Sequence, residues 1–320
     1  MAIFLPRENT AASVSKRLRP HRALAFLHAL DPEGAGGVAP TERHMRSACF
    51  DGDRAAVKWL ANDLGLPLTP RCCFYSAWGL SDIRVLHIKT EAPPPAAAAE
   101  ARSPWLNHRS LSCLEWILAS GCRGNAGACA EAASKGRLDA LKLLRDYGCP
   151  WDWSTCAEAA MGGHLAVVKW ARHKQCPWNH SVAAAAASGG HLDVLRWAME
   201  NGCPSSYDAL GEACRGAHLP VMKFFADDLG WPMSRTLFAY AASGGSVDAL
   251  EWLRDRGCPW GPSACASAAG GGHVQAIAWL RARGCPWDET TLQSARGRGP
   301  RMMEWLRANG YPGLSIKSSV

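Results

Sequence analysis

Fourteen cysteines and eleven histidines in a chain of 320 residues are enough to build several zinc sites or a thiol catalyst. Each of those chemistries needs its groups to converge on one point. A structural zinc site asks for closely spaced Cys or His pairs. A thiol nucleophile asks for one Cys beside one His in a pocket. The spacing in this chain does neither. Cys122, Cys149, Cys176, Cys203, Cys258 and Cys285 are separated by 27, 27, 27, 55 and 27 residues. Cys129, Cys156 and Cys265 each follow one of them by seven. His164, His191, His218 and His273 recur at one Gly-His step. Groups that recur at one period form columns, so these thiols are predicted to be small buried packing residues. The imidazoles are predicted to bond the backbone of a neighbouring turn. No catalytic residue, metal site or cofactor is expected, and no nucleophile elbow, Walker-type loop or dinucleotide fingerprint occurs. The glycines of Gly34–Gly37 and of Ala269–His273 lack the strand before and the Lys-Ser/Thr after that a phosphate loop requires. The chain is therefore not expected to be an enzyme.

The columns define the elements that carry them. Gly-Cys-Pro-Trp stands at Gly148–Trp151, Gly257–Trp260 and Gly284–Trp287. In the 55-residue gap, Leu229-Gly230-Trp231-Pro232 takes its place, with Trp231 where Cys would be. Six residues before each such position is a large apolar residue: Trp116, Leu143, Trp170, Trp197, Phe225, Trp252, Trp279 and Trp305. Trp59 with Leu66-Pro67 fits a unit nearer the start, and Tyr311-Pro312 ends the last one. A fixed period over some 200 residues signals a repeat architecture. About ten units fit between residues 41 and 312. Residues 1–40 are expected to form a separate N-terminal segment, 91–105 an irregular or interrupted unit, and 313–320 a tail.

One unit, Trp151 to Pro177, shows why each should be two helices. Ser154 or Thr155 can cap a helix over the Ala-rich run Cys156–Met161. Gly162-Gly163 ends it. Leu165, Val168 and Trp170-Ala171 then recur at helical spacing. Asp139, Asp193 and Asp248 fall in the first turn of this second helix, where its dipole favours them. Gly202, Gly257 and Gly284 end it, and the following Pro stops continuation. Helices of eight to ten residues are marginal alone, so they must stack. The expected fold class is all-α, a solenoid of stacked helix-turn-helix units with little or no β-hairpin. If the Trp column is buried, Trp197→Ala is predicted to cost about 3–5 kcal/mol.

The run Ala186-Ala187-Ser188-Gly189-Gly190-His191-Leu192-Asp193-Val194-Leu195-Arg196-Trp197 resembles the core of an ankyrin repeat, and Thr155-Cys156-Ala157 stands where that family begins its first helix. The Gly-Cys-Pro-Trp form is similar to short ankyrin-like arrays of algae, oomycetes and large viruses. The resemblance covers about residues 41–312. It departs from the family in length, since 27 residues leave little room for the family's projecting hairpin. It implies a protein-interaction scaffold that binds through one solenoid surface. A second reading comes from Leu5–Asn9 and the following RLRPHRALAFLHAL, which resembles a worn F-box start and implies a ubiquitin-ligase substrate adaptor.

Once the frame accounts for Cys, His and Trp, recognition falls to what varies between copies. Those positions follow the Cys-Pro step: Asp152, Trp153, Asn179, His180, Tyr207, Arg235, Asp288 and Glu289, with Trp153 and Tyr207 as aromatic anchors. The partner is expected to be a protein, the chain a monomer, and a small-molecule substrate is not indicated. The net charge of +7 is mild, and nucleic acid is not the favoured partner. Arg296, Arg298, Arg301 and Arg307 could form a patch for an acidic partner, but fit better as the solvated face of an end unit. No signal peptide and no run of eighteen apolar residues is found, so an intracellular location without membrane contact is expected.

Overall fold

The computed structural model describes residues 42–63, 65–79, 104–312 and 314. The F-box-like segment, most of 91–105 and the tail after 314 lie outside the described residues. The chain groups into two compact units, Met1–Trp151 and Asp152–Val320. Their boundary falls within a Cys-Pro-Trp-Asp turn of the repeat. Every described element is helical.

The first unit holds α1 (Glu42–Phe50), α2 (Arg54–Lys58, continued by a π-helical turn Trp59–Asp63), α3 (Pro70–Gly79), α4 (Pro104–Ala119), α5 (Ala126–Ser134) and α6 (Leu138–Asp146). Here α1 packs on α3 and α3 on α5, while α4 lies against α2, α3 and α6. The second unit is six helix pairs: α7 (Trp153–Met161) and α8 (Leu165–His173), α9 (His180–Ser188) and α10 (Leu192–Glu200), α11 (Tyr207–Arg215) and α12 (Leu219–Lys223, continued by a π turn Phe224–Asp228), α13 (Arg235–Gly244) and α14 (Val247–Asp255), α15 (Pro262–Gly271) and α16 (Val274–Ala282), α17 (Glu289–Arg296) and α18 (Pro300–Ala308). Each first helix packs most closely on the first helices of the pairs beside it and then on its own second helix. Small side chains allow this: α9 buries only Val182, Ala183, Ala186 and Ala187. Second helices supply the larger apolar groups, such as Val194 and Leu195 of α10.

The helix starts differ by a few residues from the sequence expectation. The N-cap of α7 is Asp152, not Ser154 or Thr155, and its carboxylate accepts from the Ser154 amide at 2.9 Å. Asn179 and Asp288 cap α9 and α17 in the same way, at 3.0 Å each. Second helices end as foreseen, with glycine at positive φ: Gly202 at +80°, Gly257 at +69° and Gly284 at +82°. Gln175 occupies that place after α8 at +62°, a conformation that strains a non-glycine residue. At His218 the preceding residue is Ala217, held at +56° where other copies have glycine.

The 28-residue unit has a structural cause. In regular pairs the Cys amide bonds the carbonyl five residues back, as Cys258 to Leu253 and Cys285 to Leu280, both at 3.0 Å. Trp231 bonds Phe225, six back, also at 3.0 Å. One extra residue is absorbed by the π turn Phe224–Asp228. This corrects the Trp column. Phe224, six residues after His218, takes the place that Trp197 takes after His191. Phe225 is the fully buried core residue equivalent to Leu253 and Leu280. The same bond recurs from Leu66 to Leu60 beside the π turn Trp59–Asp63.

The column is also less buried than expected. Trp59, Phe224 and Trp279 are buried, but Trp116, Leu143, Trp170, Trp197, Trp252 and Trp305 are half-buried. Charged side chains supply part of the cover of several of these indoles. Arg256 lies 4.3 Å over Trp252, Arg283 lies 4.1 Å over Trp279, and Lys169 lies 5.8 Å from Trp197.

The Cys-Pro-Trp turn is held by an arginine clamp. In the second unit, Arg172, Arg254 and Arg281 sit four residues before their Cys. Their guanidiniums lie 4.0, 4.1 and 4.0 Å over Trp178, Trp260 and Trp287. Arg172 also donates to the Cys176 carbonyl at 2.6 Å, and Arg281 to Cys285 at 2.5 Å. Arg145 does the same in the first unit, over Trp151 and to Cys149. The stack and the charged hydrogen bond act on one side chain. Arg281→Ala is therefore expected to destabilise by about 2 kcal/mol in urea unfolding. Arg281→Lys should recover less than half of that, because an ammonium cannot lie flat on the indole while keeping the same donor geometry. Full recovery by lysine would show that charge alone is at work.

Candidate partner-binding face

The Cys and His columns link the turns. The thiols of Cys176, Cys203, Cys258 and Cys285 donate to the carbonyls of Asp152, Asn179, Ser234 and Gly261, at 3.3, 3.5, 3.2 and 3.5 Å. Each acceptor is the N-cap residue of the preceding first helix. Cys149, in the first unit, is buried, and burial pushes its thiol above the usual range. In the last pair Tyr311 stands in for Cys, and its hydroxyl donates to Asp288 at 2.7 Å. The histidines link the other end of the first helices. His218 Nε2 is 2.8 Å from the Ser188 carbonyl and His273 Nε2 is 2.9 Å from that of Ser243. The rings of His191, His218 and His273 rest on Gly163, Gly190 and Gly245, where a Cβ would collide with them. His164 heads α8 as its N-cap residue. Among the described residues no group of three or more His, Cys, Asp or Glu could hold a metal ion.

The residues singled out for recognition divide into two groups. Asp152, Asn179 and Asp288 are the N-caps described above, so helix capping accounts for their type. Tyr207 is half-buried and engaged. Its ring stacks on Trp231 at 5.9 Å, and its hydroxyl donates to the Pro232 carbonyl at 2.6 Å. It is tied to the next turn rather than presented as a free anchor. Trp153, His180, Arg235 and Glu289 are exposed, each as the first residue of its helix. Trp153 is 46% exposed.

Further surface residues on the first helices escaped the sequence reading. Met161, at the end of α7, is 49% exposed. Together with Trp153 it places two large apolar side chains in solvent on one nine-residue helix. The corresponding surface of α9 carries the half-buried Ala184 and Ala185. Across α11 and α13 the face turns polar. The Tyr240 ring lies over Gly211, where a Cβ would come within 2.6 Å of it. Its hydroxyl reaches Asp208 at 3.5 Å, Arg215 lies 5.2 Å from the ring, and Arg215 pairs with Glu212 at 3.2 Å. Partial burial, then the Asp208 and Glu212 carboxylates, raise the Tyr240 phenol above its ordinary range. The signal for this surface was present in the repeat. The column Glu158, Ala185, Glu212, Tyr240, Ser267, Ser294 changes type at every step but the last. So does Met161, Ser188, Arg215, Ser243, Gly270, Gly297.

The geometry defines an all-helical repeat protein. No protein-family model matches the chain, and no curated protein matches it. Solved structures do. The human ASB11 ankyrin repeat domain is similar at a TM-score of 0.39 and 20% identity, over 54% of this chain and 98% of that one. The pentatricopeptide repeat protein PPR10, in complex with an 18-nt psaJ RNA element, is similar at a TM-score of 0.37 and 16% identity. That match covers 94% of this chain and 48% of PPR10. Among the described residues no helix is long and apolar enough to cross a membrane.

Proposed function

We propose that the chain is an ankyrin-like protein-interaction scaffold whose second unit binds a protein partner on the exposed face of its first helices. One observation carries the reading: Trp153 and Met161 stand 46% and 49% exposed on a helix whose other apolar positions are buried by the frame. Exposed large apolar groups on one element lose hydration most favourably when a partner covers them. The polar end of the face, with Asp208, Glu212, Arg215 and Tyr240, supplies orientation. His180, Arg235 and Glu289 contribute at the helix starts.

Affinity capture from the native cell with the full chain tests this. Trp153→Ala/Met161→Ala should abolish capture of the partner while leaving the melting temperature within a few degrees, since about half of each residue is in solvent. Capture of the same protein by the double variant would overturn the reading. So would capture of RNA in place of protein.

A further inference from the structure

The turn cysteines are not equally covered. Cys149, Cys176, Cys258 and Cys285 each stand two residues before a tryptophan, and each is at most 1% exposed. Cys122 and Cys203 stand before Gly124 and Ser205 instead, and are 8% and 6% exposed. Where the turn tryptophan is missing, the cysteine opens to solvent. At Cys122 the whole clamp is missing. Leu118 takes the place of the arginine, Arg123 that of the proline and Gly124 that of the tryptophan. No side chain fits at Gly124 as the turn stands, since a Cβ there would lie 2.7 Å from Cys149 Sγ and 3.5 Å from Cys73 Cβ. Cys73, the fourth residue of α3, is fully buried beneath this open turn, and its thiol donates to the Cys122 sulfur at 3.8 Å. The Cys122 thiol donates in turn to the Thr69 carbonyl at 3.1 Å.

We propose that Cys122 and Cys73 form an oxidative modification site, in which a small hydroperoxide oxidises Cys122 at the open turn and Cys73 resolves the product as a Cys73–Cys122 disulfide. Among the described turn cysteines, Cys122 alone joins a missing tryptophan to a thiol at the fourth position of the preceding first helix; for Cys203 that position is Ala183. The two sulfurs are already in contact and need to close by only about 1.8 Å to reach the roughly 2.05 Å of a disulfide. Exposure divides the roles, because an oxidant from solvent meets Cys122 before the fully buried Cys73. The hydrogen bond acts in the same sense. It holds the Cys122 thiol below its ordinary range, against burial and Cys72, and together with burial it pushes Cys73 up. Cys122 is thus the thiolate, the nucleophilic form, and Cys73 keeps its proton.

The chemistry balances with the peroxide as the only co-reactant. The Cys122 sulfur attacks the outer peroxide oxygen, an S–O bond forms and the O–O bond breaks. The hydroxide or alkoxide that leaves takes up the proton given up by Cys122 and departs as water or alcohol. The Cys73 sulfur then attacks the Cys122 sulfur, and the S–O bond breaks. The hydroxide released there takes the Cys73 proton and leaves as water. Two thiols lose two electrons and the peroxide gains them. The product ties α3 to the turn that follows α4.

The molecule carries its own controls. Cys156 with Cys176, and Cys265 with Cys285, occupy the same two places in units whose turns keep Trp178 and Trp287. Cys203 is open but has Ala183 in place of the second thiol. The test is to treat the full chain with one equivalent of hydrogen peroxide and map the products by peptide mass spectrometry, with a sulfenic-acid trap in a parallel sample. The expected first disulfide is Cys73–Cys122, forming at least tenfold faster than Cys156–Cys176 or Cys265–Cys285. The trap should label Cys203 but not Cys122, whose sulfenic acid Cys73 consumes. In Cys73→Ala the trap should label Cys122 as well, and Cys122→Ala should remove both the disulfide and that label. If Cys73→Ala fails to fold, the order of disulfide formation in the unaltered chain carries the same test. A tryptophan-covered pair closing as fast, Cys73 pairing with Cys149, or a Cys122 sulfenic acid that persists in the unaltered chain would overturn the proposal.

Discussion

Gly190→Ala is expected to destabilise the second unit by about 3–4 kcal/mol, from two sources that act on one added methyl group. Gly190 sits at φ +76°, where an L side chain is strained. Its added Cβ would also lie 2.7 Å from Cε1 and 2.8 Å from Cγ of His218. The ring cannot simply swing away, because its Nε2 is held at the Ser188 carbonyl. Gly202 separates the two contributions. It has φ +80° but nothing within 4 Å of an added Cβ. Gly202→Ala should therefore cost only the backbone strain, about 1–2 kcal/mol. Urea unfolding of both variants gives the difference. Adding His218→Ala to Gly190→Ala should restore part of the loss. Equal costs for the two glycine variants would show that the histidine is free to move and does not link the first helices.

The second large effect is Phe225→Ala, expected to cost about 3–5 kcal/mol as a buried aromatic truncated in a packed core. Phe225 is fully buried and its ring centre is 4.5 Å from that of Trp231. Trp197→Ala should cost about half as much, because the indole is only half-buried and part of its cover is the exposed Lys169. If Phe225 were the residue equivalent to Trp197, the two substitutions would behave alike. Thermal melts showing Trp197→Ala as the more damaging change would reverse the register drawn from the π turn.

The parts of this fold that could be read from sequence are those repeated in every copy. The period, the paired helices and the glycine stops after second helices all follow from the spacing of Gly, Cys-Pro and Trp. What escaped were features that depend on where a side chain bonds. Asp152, Asn179 and Asp288 vary in type between copies, which looked like freedom for recognition, yet all three can cap a helix and do. Tyr207 differs from its counterparts because it answers Trp231 in the next turn, a one-off pairing that no column displays. The arginine four residues before Cys was not singled out, since sequence does not show that its fork reaches a carbonyl and an indole together. Met161 and Tyr240 were hidden for the opposite reason. They lie inside alanine-rich first helices, where the surrounding uniformity drew attention to the turns.

The two π turns bear on how such a chain can change over time. A solenoid whose units must match one another would be expected to reject any insertion that is not a whole unit. Here a single added residue is swallowed at the end of a second helix, and the next turn resumes its place. Both instances share the local spelling Asp-Leu-Gly-x-Pro, as Asp63-Leu64-Gly65-Leu66-Pro67 and Asp228-Leu229-Gly230-Trp231-Pro232. That spelling lacks the Cys by which ordinary units are recognised. Length errors of one residue can therefore survive in this lineage of repeats. A comparison that steps along the chain in strict multiples of 27 would skip the units that tolerated them.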